Sequence, residues 1–391
     1  MSAGEVLDVF SQHQEPVVTI LFKNCHQYRV DFFDLLAQNL SDKGIQLRLV
    51  VGNGLPEDEA KGDRATLPWA ETRNFRSINV AGHTMLWQPG FDLMRESDLI
   101  ITEQATKQLF NLVISYGQRL GRTKHAFWGH GRNFQASIEG SAGEGLKKAM
   151  TQRAHWFFSY NDLSTEAACE FGMDRNRVTP VMNSTDTTRV RHLWRTLPTD
   201  AGQRVRAKLG MGDGPVALYL GGIYSHKRPE FVVKAAEELR DLIPTFEMLV
   251  IGDGSSAHLM ERASKRHSWF HHLGSHYGDD KVALANVASV QLMPGLVGLN
   301  IVDAFAMGIP TVTTGIDYHS PEIEYLVNGE NGLILPEDAT PREYAESTAA
   351  LLNDEHRLAK MSMAAESSGR QLSVEDMAER FADGVVQALN V

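Results

Sequence analysis

The feature that most constrains this chain is an alternation of strand-like and helix-like segments that occurs twice along its length. Short apolar runs such as VVTILF (17–22) and QLRLVVG (46–52) predict buried strands, and VDFFDLLAQNL (30–40) predicts an amphipathic helix between them. The alternation restarts at PVALYLGG (215–222), which is followed by a predicted helix over 229–242. Regular strand–helix alternation is typical of parallel sheets with helices on both faces. The sequence therefore predicts an α/β protein.

Each series contains further segments of the same two kinds. The first is predicted to add a helix over 107–119 and strands over 98–102, 125–131 and 156–161. The second is predicted to add strand–loop units over 247–254, 270–275, 290–295, 309–315 and 332–337. A helix over 255–266 is predicted to begin with a serine cap. The polar, turn-rich stretch 191–214 between the two series is predicted as the linker region.

The charge distribution also divides the chain near residue 196. Residues 1–195 contain 22 basic and 22 acidic side chains, whereas residues 196–391 contain 16 basic and 27 acidic ones and carry the whole net charge of −11. We predict a first domain over 1–195 and a second over 196–371, with a C-terminal helix over about 372–391 that packs back on the first. Two doubly wound domains facing a cleft would bind ligands at the carboxyl ends of their strands.

Composition excludes several classes of protein. A chain without a basic excess is a poor general binder of nucleic acid. Cys25 and Cys169 lie in no CxxC or Cys/His spacing, so a disulfide framework and a structural zinc are not expected. The start of the sequence lacks a signal-peptide pattern, and its apolar runs are too short to span a membrane. We expect a cytoplasmic location.

The stretch MPGLVGLNIVDAFAMGIP (293–310) contains the first candidate site. A strand ends, the chain turns through Gly295 and Gly298, and a helix is predicted to begin at Asn300 with a carboxylate at Asp303. Free N–H groups at such a helix start favour an anion, and glycines let a phosphate approach. The Asp303 carboxylate has two possible roles. It either complements the helix dipole or accepts hydrogen bonds from a ribose diol.

Two more glycine loops follow predicted strands. GGIYSHKRPE (221–230) brings Lys227 and Arg228 to the start of the next helix, where cations oppose the helix dipole. An anion such as a diphosphate would make this arrangement favourable, although two solvated surface charges explain it too. IGDGSS (251–256) is a third loop of this kind.

These motifs resemble a known family. LYLGGIYSHKRPEFVVKAA, VIGDGS, FHHLGS, MPGLVGLNIVDAFAMGIPTVTT and PEIEYLVNGENGLILP cover most of residues 215–340 in the order and spacing of the donor-binding domain of GT-B glycosyltransferases. The similarity is to the retaining enzymes of family 4, the glycosyl transferases group 1. In the first half, VMNSTD (181–186) resembles the family's NG(I/V)D segment. The resemblance implies the GT-B fold, two Rossmann-like domains facing a central cleft.

The resemblance also implies roles for individual residues. Lys227 would neutralise the donor diphosphate, with Arg228 supplementing it, and Asp303 would bind the ribose as the second acid of the family's E-x7-E motif. The first acid of that motif falls at Gly295 and is absent, and the family's arginine falls at Gly222. Glu322 would support a loop. The full set of expected donor-binding positions is Gly222, Gly252, Gly274, Ser275, Gly295, Gly298, Leu299, Asn300 and Asp303.

The first domain is expected to supply the opposite wall. His130 follows a strand between two glycines, where the family often has a histidine that reaches the donor sugar; a loop histidine bonded to backbone is the alternative. Expected acceptor contacts are Tyr28, Arg29, Glu103, Arg132 and Asn133. His26, Lys107 and an aromatic platform at Trp87 are further candidates, each with a purely structural alternative.

The implied reaction is retaining transfer of a sugar from a nucleoside diphosphate sugar to a hydroxyl acceptor, as in bacterial-type surface glycan synthesis. No cofactor is expected, and no metal, because no Asp-x-Asp stands at a strand end of the second domain. The alternatives are a GT-B epimerase or hydrolase, and a degenerate glycosyltransferase that acts as a binding partner. A phosphorylase is disfavoured. Lipid-linked acceptors would bring the protein to the inner membrane, with 118–124 and 146–158 as candidate contacts.

Overall fold

The first domain contains a parallel sheet and a small hairpin. The computed structural model describes residues 15–53, 64–80, 83–117, 123–132 and 141–391. Its strands in this domain are β1 (Val17–Phe22), β2 (Gln46–Gly52), β3 (Glu71–Arg73), β4 (Arg76–Val80), β5 (His83–Trp87), β6 (Leu99–Glu103), β7 (Lys124–Gly129), β8 (Trp156–Ser159) and β9 (Val178–Pro180). The sheet order is β3-β2-β1-β6-β7-β8-β9, and β4 pairs with β5 in an antiparallel hairpin.

Helices cover this sheet and lead to the second domain. They are α1 (Val30–Asp42), α2 (Leu93–Glu96), α3 (Leu109–Gly117), α4 (Ser141–Thr151), α5 (Asp162–Glu170) and α6 (Thr187–Thr196). Because β1 pairs with β2 on one side and with β6 on the other, the chain reverses its winding direction between β1 and β6. That reversal opens a crevice at the carboxyl ends of the two strands.

The second domain repeats the architecture. Its strands are β10 (Val216–Leu220), β11 (Glu247–Ile251), β12 (Phe270–His272), β13 (Val290–Leu292), β14 (Thr311–Thr314) and β15 (Gly332–Leu335). They form a parallel sheet in the order β12-β11-β10-β13-β14-β15, so its reversal lies between β10 and β13. The helices are α7 (Ala201–Leu209), α8 (Pro229–Leu242), α9 (Ala257–Arg266), α10 (Gly278–Ala285), α11 (Asn300–Ala306), α12 (Pro341–Leu352), α13 (Glu355–Gln371) and α14 (Val374–Asn390).

The central strands of each sheet are buried on both faces, which explains their apolar runs. Every residue of β10 is buried, as parallel strands between two helical layers require. The last helix, α14, packs in the first domain, where Phe381 stacks on Phe158 with a centroid distance of 4.1 Å. The chain therefore crosses between the domains twice, after β9 and before α14.

The structure corrects three expectations about local structure. The stretch 191–214 is largely helical, since it contains the end of α6 and all of α7, and Val190 of α6 packs in a core of the second domain. The predicted boundary at residue 195 thus lies at the end of a helix that already belongs to that core. Ser256 precedes α9, but its side chain makes no capping hydrogen bond.

The third correction concerns the candidate membrane contact at 146–158. This stretch is split between α4 and β8, and Trp156, Phe157 and Phe158 are buried in the sheet, so its aromatic side chains cannot face a lipid surface. The other candidate, 118–124, lies mostly outside the described residues. Among the helices that the structure describes, none is long and apolar enough to cross a membrane.

Candidate functional site

Two of the predicted loops meet at the reversal point of the second sheet. Residues 221–228 follow β10 and residues 293–299 follow β13, and these two strands are neighbours in the sheet. The helices that continue from them lie on opposite faces, which leaves the loops facing each other across a crevice. The amide of Leu296 donates to the carbonyl oxygen of His226 at 2.9 Å and ties them together.

Gly295 allows this close approach. A Cβ atom at Gly295 would lie 2.4 Å from the backbone carbonyl carbon of Lys227 and 2.5 Å from its Cα, distances at which backbone must move. The space that the missing motif acid would need at position 295 is therefore filled by the loop that carries Lys227. Gly222 differs, because a Cβ there would lie 2.3 Å from the side-chain ring of Tyr224 and not from backbone. The motif acid absent at Gly295 therefore does not fit this backbone, and a side chain at position 222 would require the Tyr224 ring to move.

Lys227 points its ammonium group toward Gly221. A Cβ built on Gly221, whose φ is +111°, would lie 3.5 Å from Lys227 Nζ. Burial lowers the pKa of Lys227 to about 8. Among the described residues, no carboxylate lies within the 4 Å of an ion pair and no group accepts a hydrogen bond from this ammonium. Lys227 is partly buried, and a cation in such a place without a counterion is less favourable than one that an anion joins.

Asn300 adds an unpaired donor beside the same glycine. Its Cβ lies 3.7 Å from the Cβ built on Gly221, and the residue is 9% exposed. The carboxamide oxygen accepts the N–H of Gly298 at 3.0 Å, which assigns the other end of the amide as the NH₂ group. That group has no hydrogen-bond partner among the described residues. Leaving such a donor unpaired costs about 1–3 kcal/mol, so Asn300 and Lys227 together favour an anion at Gly221.

Asp303 is held by two residues that the sequence reasoning missed. Its Oδ2 receives Lys281 Nζ at 2.7 Å, and its Oδ1 accepts from the hydroxyl of Thr185 at 3.0 Å. A carboxylate has about four lone-pair sites, so the side chain retains capacity for further donors. Because Asp303 is the fourth residue of the seven-residue α11 and already has an ion pair, its helix-dipole role is minor.

Arg228 turns away from Lys227, which corrects the expectation that both face one diphosphate. It adopts a left-handed conformation with φ of 54°, donates to Thr314 Oγ1 at 3.2 Å, and stacks on Phe231 at 4.3 Å. It lines a cavity of about 670 Å³ that Lys227 does not line. Because Arg228 has these protein partners and Lys227 has none among the described residues, we expect Arg228 to contribute less than Lys227 to a diphosphate site.

The other two predicted loops, 251–256 and 270–275, pack next to the loop that follows β10. A Cβ at Gly252 would lie 2.0 Å from the carbonyl oxygen of Gly221, and the Gly252 amide donates to the carbonyl of Gly274 at 2.8 Å. Gly274 has a φ of +74°, and the neighbouring Ser275 is exposed. The structure thus brings the three predicted glycine loops and the residues at 298–303 together at one edge of the sheet.

His130 lies at the end of β7 in the first domain. Its ring meets that of Tyr160 edge to face, with a centroid distance of 4.3 Å. Burial lowers its pKa to about 3, and the positive charges of Lys147 and Arg29 act in the same direction. The imidazole is therefore neutral near pH 7 and can exchange hydrogen bonds but cannot supply a positive charge.

Other predicted residues of the first domain interact within the protein. Glu103, at the end of β6, accepts from the amide of Lys23 at 2.9 Å and from Gln108 Nε2 at 3.0 Å, which holds the loop after β1. Arg132 Nη1 lies 3.8 Å from Glu170. Asn133 lies outside the described residues.

Tyr28 and Arg29 differ sharply in exposure. Tyr28 is 40% exposed and stacks on His26 at 5.6 Å, so its ring is available to an acceptor. Arg29 is 1% exposed and donates to Asn183 Oδ1 at 2.5 Å, so its expected acceptor contact is wrong. Trp87 packs near Phe91 with a centroid distance of 6.0 Å. Glu322 is also buried, and it accepts from Asn183 Nδ2 rather than contacting the cleft loops.

No group of three or more His, Cys, Asp or Glu side chains within the described ranges could hold a metal ion. The polar groups that converge on Gly221 are donors, which suit an anion and not a cation. The geometry therefore provides a site for an anionic ligand at the second-domain edge of the cleft.

Known proteins are similar in sequence to part of this chain. Residues 214–354 match the family described as Glycosyl transferases group 1. The chain is 26% identical over 238 residues to the D-inositol 3-phosphate glycosyltransferase of Nocardia farcinica, an alignment that covers 56% of this chain and 49% of that protein. It is 29% identical over 180 residues to the GDP-mannose-dependent alpha-(1-6)-phosphatidylinositol monomannoside mannosyltransferase of Mycolicibacterium smegmatis, covering 42% and 46%. The chain thus matches less than half the length of these relatives.

The likeness in structure extends over both domains. HepE from Anabaena, solved in complex with UDP, superposes with a TM-score of 0.71, covering 94% of this chain and 99% of that chain at 14% sequence identity. At this identity the likeness concerns the fold. The chain therefore has the GT-B fold, and residues 214–354 of its second domain match the glycosyl transferases group 1 family.

Proposed function

We propose that this protein transfers a sugar from a nucleoside diphosphate sugar to a hydroxyl acceptor, with retention of configuration at the sugar. The observation that carries the proposal is that Lys227 and Asn300 both lie next to Gly221, and that neither the ammonium of Lys227 nor the carboxamide NH₂ of Asn300 has a hydrogen-bond partner among the described residues. A diphosphate would satisfy both groups in a crevice that suits a nucleotide.

The relatives support this class of substrate. Two of them are named as glycosyltransferases, one of them GDP-mannose-dependent, and the structural neighbour was solved with UDP. In this chain, Lys227 and Asn300 would bind the diphosphate, and Asp303 would accept hydrogen bonds from the ribose. Gly274 and Ser275 would border the nucleotide base. The base and the sugar are left open, as is the acceptor, which would be a glycan or a lipid-linked glycan.

The chemistry follows from where charge develops. As the bond between sugar and diphosphate breaks, the leaving group gains negative charge, and fixed donors at that position stabilise the transition state. A histidine with a pKa of about 3 is a poor general base near neutral pH, so His130 would orient the sugar through hydrogen bonds. The departing phosphate oxygen would then take the acceptor's proton on the same face.

A panel of nucleoside diphosphate sugars tests the proposal. Each donor is assayed for binding by thermal stabilisation, for slow hydrolysis without acceptor, and for transfer to simple glycosides. The expected result is one preferred donor that stabilises the protein and is turned over with the anomeric configuration retained. Interconversion of the donor without acceptor would indicate an epimerase, and stabilisation without turnover would indicate a degenerate partner subunit; either would overturn the proposal.

A further inference from the structure

Asn183 lies in the segment that follows β9, where the chain leaves the first sheet. It is 1% exposed, and all four of its polar groups are engaged. Its amide donates to the carbonyl of Tyr160 at 2.6 Å, and its carbonyl accepts from the hydroxyl of Tyr325 at 3.1 Å. Its side-chain Oδ1 accepts from Arg29 at 2.5 Å, and its Nδ2 donates to Glu322 at 2.5 Å.

The two side-chain partners are a buried cation and a buried carboxylate. Arg29 and Glu322 are 1% and 3% exposed, and within the described part of the chain neither has an opposite charge within 4 Å. The carboxamide of Asn183 is complementary to both, because its oxygen faces the guanidinium and its NH₂ faces the carboxylate. An apolar residue at position 183 would leave both charges without this partner.

These partners belong to different walls of the cleft. Arg29 precedes α1 and lies 5.0 Å from the ring centroid of Trp128 in β7, the strand that leads to His130. Glu322 belongs to the short 3₁₀ helix Pro321–Tyr325 of the second domain.

The same 3₁₀ helix contacts the first domain twice more. Asn161 Nδ2 donates to the carbonyl of Pro321 at 2.6 Å, and the amide of Leu163 donates to Glu324 at 3.1 Å. The polar bridge through Asn183 is thus the buried centre of a contact that joins the two domains.

We infer that Asn183 is a positioning residue for sugar transfer: the Arg29–Asn183–Glu322 bridge fixes the spacing between the wall that carries His130 and the loop that carries Lys227. The catalytic part of this inference rests on the proposed function. A nucleotide held by the second domain would not sense the bridge, whereas transfer requires both walls. Losing the bridge should therefore lower kcat and leave nucleotide affinity nearly unchanged, since small misplacements of reacting groups cost about 10²-fold in rate.

Asn183→Ala is the direct variant, and Asn331→Ala is its matched control. Asn331 is also 1% exposed, and its carboxamide bonds to Tyr325, Ser368 and Val327 stay within the second domain. For each protein we would measure kcat, the Kd of the nucleoside diphosphate, the melting temperature and the radius of gyration by small-angle scattering. Glu322→Gln serves as a second variant that keeps the shape and replaces the carboxyl group by a carboxamide, should Asn183→Ala not fold.

Asn183→Ala is expected to lower kcat by about 10²-fold and to increase the radius of gyration, with the nucleotide Kd unchanged within about threefold. Asn331→Ala should lower the melting temperature and keep kcat. Equal kcat for both variants, or a loss of nucleotide affinity that matches the loss of kcat, would overturn the inference. If the parent protein transfers no sugar, the proposed function fails separately, and an unchanged radius of gyration in Asn183→Ala would then refute the bridge itself.

Discussion

The two walls of the cleft differ in whether the protein supplies partners for their charged side chains. In the second domain, the partly buried ammonium of Lys227 has no counterion among the described residues. In the first domain, Glu103 receives two protein donors, and the Arg29 guanidinium donates to Asn183 and Met377 and packs against aromatic rings, although its Nε has no partner among the described residues. A partly buried charge without any protein partner indicates where a ligand binds, whereas a charge that other residues of the protein bond indicates how the wall is held in place.

The largest effect should come from removing the unsatisfied charge. Lys227→Ala is expected to reduce kcat with the preferred donor by about 10²-fold or more, because an electrostatic stabiliser of the leaving group is lost. The matched control is Arg228→Ala, which removes a neighbouring cation that faces Phe231 and Thr314 and should change kcat by less than about tenfold. Equal losses in steady-state kinetics of the two variants would show that Arg228 serves the diphosphate after all.

A smaller effect is expected at Asp303, whose carboxylate contacts Lys281 and accepts a hydrogen bond from Thr185. Asp303→Ala should weaken nucleotide binding by roughly 1.5–3 kcal/mol, or about 10- to 150-fold, through loss of a charged partner for the ribose. It should also bind ribo- and 2′-deoxyribonucleotides more equally than the parent does. Lys281→Met removes only the ion-pair partner and should keep the discrimination. Unchanged discrimination in Asp303→Ala, measured by calorimetry, would assign Asp303 to the contact with Lys281 and Thr185 alone.

The pH dependence should separate the two walls. The pKa of Lys227 is lowered to about 8, so its cation is present below pH 8 and is lost as pH rises through that value. kcat/KM for the donor should therefore fall above pH 8, up to tenfold per unit. His130, with a pKa of about 3, should contribute no change between pH 5 and 7. In Lys227→Arg, whose guanidinium stays charged, the alkaline fall should disappear; its persistence would assign the titration to another group.

Chelation should have the smallest effect. If Lys227 and Asn300 bind the diphosphate, activity should remain after treatment with EDTA, measured with the preferred donor in metal-free buffer. Loss of activity that added manganese restores would show that a cation, and not these donors, neutralises the leaving group.

Much of this architecture could be predicted from the sequence, for a physical reason. Buried parallel strands are apolar on both faces, so the runs at 17–22, 46–52 and 216–220 are recognisable without any tertiary information. The glycine loops could be predicted too, because close backbone contacts such as that of Gly295 with Lys227 restrict the residue type.

The remaining features depend on contacts that no local pattern encodes. The helices of the stretch 191–214 are polar over most of their surface and bury few apolar residues, so they resemble a linker. Arg29 was expected in the cleft because it lies in a polar turn, and its burial against Trp128 follows from how β7 and α1 pack. The pairing of Asp303 with Lys281 and Thr185 joins residues 22 and 118 positions apart, a distance over which spacing carries no signal.

The central claim is that the second-domain crevice is built for a diphosphate, and titration calorimetry tests it most directly. The measurement is the Kd of a nucleoside diphosphate and of the monophosphate of the same base, for the parent protein and for Lys227→Ala at pH 7. The account predicts that the parent prefers the diphosphate by at least about tenfold and that Lys227→Ala loses most of this preference. Equal affinity of the parent for both nucleotides, or an unchanged preference in Lys227→Ala, would contradict it.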